Sequence, residues 1–154
     1  MLESPAITNT TAQRTAIIHL TIPRSEIQHV MGPGIGELMA VVAEQGIGPS
    51  GPWFSHHLRM DPDVFDFEIG VPVTAPATPK GRVRPGELRA ARVARTVYHG
   101  GYERLGAAWG EFIAWIDTNG HVSGPDFLEV YLAGPESGTD PGAYRTELSR
   151  PLVG

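Results

Sequence analysis

Cysteine is absent from the 154 residues, which excludes disulfides, thiolate metal sites and cysteine nucleophiles. Lysine is nearly absent: Lys80 is the only one. The arginines between Arg82 and Arg95 are spread along a loop and a strand, and the formal net charge is -5. Counterion release on nucleic acid needs clustered basic side chains, so no direct nucleic-acid partner is expected. No apolar run approaches the roughly 20 residues of a membrane helix. Glu3 and polar residues stand where a secretory signal would carry positive charge. A soluble, cytoplasmic chain with no membrane partner is the expectation. Also missing are Gly-x-Ser-x-Gly, a phosphate loop and His-Glu-x-x-His. Gly32-Pro33-Gly34-Ile35-Gly36 reads as helix entry, and His56-His57 point to opposite strand faces, unlike metal ligands. Neither metal nor cofactor is expected.

What is present is a globular composition, 41% hydrophobic and 19% charged, long enough for a core without staples. Residues 1–11 are polar and read as frayed. Residues 12–22 read as a strand closed by Pro23. Ile35, Leu38, Met39 and Val42 then recur at helical spacing, and Gly46 with Gly48-Pro49 ends that helix. Strands follow at 53–58 and 64–73, the second with Phe65, Phe67, Ile69 and Val71 alternating on one side. Residues 74–86, rich in Pro and Gly, read as a linker.

The plan then repeats, with a strand at 88–98, a turn at His99-Gly100-Gly101 and a helix at 102–118. That helix carries Leu105, Trp109, Phe112, Ile113 and Ile116 on its apolar face. A strand at 127–132, a Gly/Pro-rich loop at 134–142 and a last strand at 143–150 complete the chain. The expected fold class is α+β: two pseudo-symmetric β-α-β-β halves, about 10–78 and 86–152, each an antiparallel sheet with one long helix, and a ligand groove between them.

In the strand 127–132, Leu128, Val130 and Leu132 share one face and are expected under the second helix. Phe127, Glu129 and Tyr131 share the other. Phe67-Glu68-Ile69 lies in the first half where Leu128-Glu129-Val130 lies in the second, which puts Glu68 and Glu129 on the face opposite the core helices. An aromatic, a carboxylate and a tyrosine in a row either floor a ring-lined groove that attracts cations or form an exposed strand face with a solvated glutamate. Trp53, Ser55 and His57 share one face of their strand; which of Trp53 and Phe54 is buried is open. Trp109 belongs to the core stripe, and Trp115 either lines the groove or covers a neighbouring strand.

His99-Gly100-Gly101-Tyr102-Glu103-Arg104-Leu105, Trp109 and Glu129-Val130-Tyr131-Leu132, in that order, resemble the GyrI-like, or AraC-type effector-binding, domain. The resemblance runs from about Thr10 to Leu152. Gly100-Gly101 stands where the family often has Gly-Pro. The resemblance implies one stand-alone domain of two halves around a groove that binds hydrophobic and cationic drugs or dyes, with Glu129 as the acidic determinant. Some members are fused to helix-turn-helix regulators, and some stand-alone members are implicated in hydrolysing cyclopropane-bearing alkylators. Candidate ligand contacts are Glu129, Tyr131, Phe127, Trp115 and Tyr98 in the second half. In the first half they are Glu68, Trp53 and His57. Glu129 and Tyr131 are also the catalytic candidates, should the protein be an enzyme.

Overall fold

The computed structural model describes residues 2–59, 61–133 and 140–153. Most of the loop expected at 134–142 lies outside them. The chain divides into two compact units, Thr11–Ala90 and Met1–Thr10 with Ala91–Gly154. The architecture is α+β with antiparallel strands throughout.

In the Thr11–Ala90 unit, β2 (Gln13–Pro23) leads to α1 (Ile27–Gln45), then β3 (Phe54–Arg59), β4 (Val64–Pro72) and β5 (Arg84–Leu88). The strands pair in the order β5-β2-β4-β3. The alternation in β4 does what the sequence suggests. Phe67, Ile69 and Val71 are fully buried with Ile18, Leu38 and Val42, and Phe65 packs at the edge. Each such side chain contributes about 1.5–3 kcal/mol when taken out of water. The glycine-proline run is not helix entry. The helix starts at Ile27 and holds Pro33 in its interior. Proline there removes one i→i−4 hydrogen bond, and the packing of Met31, Ile35 and Leu38 on the core holds the helix through it. Gly34 meets Ile69 of β4 so closely that a Cβ would stand 2.7 Å from its Cδ1. Gly46, at φ 66°, closes α1 in the left-handed region as expected. Phe54 is the buried member of its pair, lying over Gly70, and Trp53 is half-buried. Arg84–Leu88 is strand, so the last three residues of the stretch read as a linker pair with β2.

In the other unit the chain runs β1 (Ala6–Asn9), β6 (Arg92–His99), α2 (Leu105–Thr118), β7 (Phe127–Ala133) and β8 (Arg145–Pro151), paired β1-β6-β8-β7. The N-terminal residues are not frayed: Ala6–Asn9 pair with Arg92–Arg95, and Leu2 bridges Tyr98. Leu2 and Ile7 reach the core, which explains why a mostly polar segment is held. Phe112, Ile116 and Leu148 are fully buried beside Tyr98, Trp109 and Phe127.

Strand β7 faces the opposite way from expectation. Phe127, Glu129 and Tyr131 are buried and Leu132 is 44% exposed. Phe127 belongs to the cluster that α2 covers, so the side carrying Glu129 is the helix side. Period-two alternation fixes which residues share a face but not which face is covered. A bulge between Tyr131 and Ala133 then breaks the alternation at the strand's end. Glu68 does point away from α1, since its neighbours Phe67 and Ile69 form the core. The two glutamates are therefore not equivalent.

Candidate functional site

Three residues of β7 and one of α2 build the site. A helix places Trp109 and Phe112 one turn apart on its inner face, and β7 presents Phe127, Glu129 and Tyr131 to that face. Trp109 Nε1–H donates to Glu129 Oε2 at 2.6 Å. The Tyr131 hydroxyl donates to Glu129 Oε1 at 2.6 Å. Each carboxylate oxygen thus receives a neutral donor, and no cation is among the groups that shift its proton affinity. Glu129 is 8% exposed. Burial raises its pKa above the usual carboxylate value, and the hydrogen bonds from Tyr131 and Trp109 oppose that rise.

Both donors are aromatic, and further rings pack on them. Phe127 meets Trp109 edge-on at 4.8 Å, and Tyr102 meets Tyr131 edge-on at 6.0 Å. Tyr144 packs on Tyr102 at 5.3 Å. Beneath Phe127 the Arg150 guanidinium lies 5.6 Å from the ring centre and donates twice to the Gly124 carbonyl. The glycine turn belongs to the same construction. Gly100 has φ 146°, and a Cβ there would stand 2.7 Å from the Tyr98 hydroxyl. That hydroxyl donates to the Gly101 carbonyl, so Tyr98 fixes the turn that starts α2.

The structure brings Glu129, Tyr131 and Phe127 together. Tyr98 lies in the same row of the sheet, two strands from Tyr131 across Thr146. Trp115 packs against this unit's core and stacks on His121 at 6.3 Å. The remaining candidates belong to the Thr11–Ala90 unit. His57 is buried, parallel to Phe67 at 5.1 Å and edge-on to Phe65 at 5.3 Å. Burial lowers its pKa from 6.5 to about 4, helped by His56 and Arg24, so the imidazole is neutral. Glu68 is partly buried, 3.4 Å from His56 Nδ1. Trp53 packs against that unit's core. Among the described residues no group of three His, Asp or Glu side chains could hold a metal.

Sequence reasoning assigned Trp109 to packing alone and passed over Tyr102 and Tyr144 as contacts. The signal for Trp109 was available: a buried indole N–H needs an acceptor.

The model of the GyrI-like small molecule binding domain matches residues 3–153. The chain belongs to the GyrI-like family. No curated protein sequence matches it. Among solved structures, the C-terminal domain of EcmrR is similar at 18% identity and a TM-score of 0.84, covering 97% of each chain. EcmrR in a DNA complex is similar at 16% identity and a TM-score of 0.81; the match covers 97% of this chain and 57% of that one. SAV2435 bound to tetraphenylphosphonium is similar at 15% identity and a TM-score of 0.67, covering 99% of this chain and 95% of that one. At these identities the likeness establishes the fold. No helix among the described residues is long and apolar enough to cross a membrane.

Proposed function

We propose that this GyrI-like domain binds lipophilic, cationic or planar aromatic molecules in the cytoplasm, as a multidrug sensor or sequestering protein, and that Glu129 holds the positive charge. One observation carries the reading: a buried carboxyl whose hydrogen-bond partners are neutral and whose neighbours are rings. A cation approaching it gains a Coulomb term strengthened by low dielectric, plus the attraction of the ring faces. The complex of SAV2435 with tetraphenylphosphonium supports the ligand class, and the EcmrR–DNA complex supports a role in regulation.

The test is a calorimetric titration with tetraphenylphosphonium. Glu129→Gln keeps the shape and removes the charge, so affinity falls at least about tenfold while the urea midpoint near neutral pH does not fall. Unchanged affinity overturns the cationic reading. Tyr98 and Trp115 enter the same assay as proposed contacts, each expected to weaken binding when truncated, and Glu68, Trp53 and His57 are proposed ligand contacts of the Thr11–Ala90 unit.

A second reading is hydrolysis of cyclopropane-bearing alkylators. It is favoured by the 2.6 Å bond between Tyr131 and Glu129, which pairs a base of raised pKa with a phenol. Glu129 would take a proton from water as the hydroxyl adds to one ring carbon, and the other carbon of the broken bond would gain a proton. A hydrated product formed over many turnovers, and lost in Glu129→Gln, supports this reading; binding without product rules it out.

A further inference from the structure

Thr146 lies in β8 with 0% exposure, on the face that carries Leu148 into the α2 core. Register sets it directly between Tyr98 of β6 and Tyr131 of β7. Glu129 stands opposite Leu148, two residues along the same strand, so Thr146 and Glu129 are diagonal neighbours with backbones roughly 7 Å apart. The polar groups around it are engaged. Tyr98 donates to the Gly101 carbonyl, and Tyr131 and Trp109 donate to Glu129. Thr146 Oγ1 is fully buried and makes no hydrogen bond among the described residues.

A buried hydroxyl without a partner destabilises a fold relative to a methyl group of the same shape, and valine suits a strand at least as well as threonine. Packing therefore gives no reason for a hydroxyl at this position, whereas a ligand does. We propose that Thr146 is a specificity-determining residue of the ligand site. Its hydroxyl hydrogen-bonds an oxygen or nitrogen of the ligand, so the preferred occupant is an amphiphilic cation with a hydrogen-bonding group close to its positive centre. This rests on Glu129 holding the charge. Glu129 selects for positive charge, and Thr146 selects among cations of similar size.

The test uses tetraphenylphosphonium and its derivative with one 4-hydroxyl group, which differ by a single polar group. Both are titrated into the full chain and into Thr146→Val and Thr146→Ser. The wild type is expected to prefer the hydroxylated cation roughly fivefold. Thr146→Val loses that preference, keeps its affinity for tetraphenylphosphonium within about twofold, and melts no lower than the wild type. Thr146→Ser restores the preference. If tetraphenylphosphonium binds but the wild type shows no preference, or if Thr146→Val retains it, the Thr146 assignment is wrong and the reading of Glu129 stands. If neither cation binds the wild type, the reading of Glu129 fails and takes this inference with it.

Discussion

At the scale of single residues, Glu129 and His57 are both buried groups that the fold pushes toward neutrality, and their signs differ. Glu129 binds its proton more tightly in the folded chain, so it favours folding at low pH and opposes it once pH rises past the ordinary carboxylate value. On the proposed reading a bound cation offsets that opposition, which couples ligand and stability. His57 is the converse. Its folded value of about 4 lies below the ordinary 6.5, so the neutral form stabilises the fold above pH 6.5 and the contribution is lost as pH falls toward 4. The full loss amounts to about 3 kcal/mol. Urea unfolding of the wild type and of His57→Phe between pH 4 and 7 should show the wild type losing stability more steeply. Parallel curves would mean that the imidazole is solvated.

At the scale of elements, glycines separate two kinds of packing. Gly36 is exposed in α1 and a Cβ there would meet nothing within 4 Å. Gly36→Ala should therefore stabilise the protein by about 0.5–1 kcal/mol through helix propensity. Gly70 lies in β4 beneath the Phe54 ring, which leaves no room for a Cβ, so Gly70→Ala should cost about 1–3 kcal/mol. Thermal melts of both variants check the pair; a stable Gly70→Ala would mean that Phe54 is loosely held.

Element types were largely legible in the sequence because periodicity reports them directly: Phe67, Ile69 and Val71 announced a half-buried strand, and Gly46 announced the end of α1. The site was only half legible. Alternation grouped Phe127, Glu129 and Tyr131 correctly, but which side α2 covers is decided by tertiary packing, and both sides of β7 carry large apolar residues. The match of Glu129 to Glu68 failed for a related reason. Within its unit, β7 is the strand after the helix and an end of the pairing order, as β3 is in the other; Glu68 lies in β4. If the units are duplicates, as we propose, Trp53, Ser55 and His57 correspond to Phe127, Glu129 and Tyr131, and both triplets stop at a bulge.

At the scale of the molecule, a net charge of -5 concentrates cations near the surface, and on the proposed reading the buried carboxyl selects those that tolerate losing water. That reading makes cation selection depend on the protonation of one carboxyl group, which is measurable. Carbon-13 NMR of the Glu129 carboxyl, titrated with pH in the free chain and again with saturating tetraphenylphosphonium, reads its protonation directly. The predicted result is a midpoint above the ordinary carboxylate value in the free protein that drops when the cation binds. A midpoint that is ordinary in the free chain, or that stays in place on binding, contradicts the account.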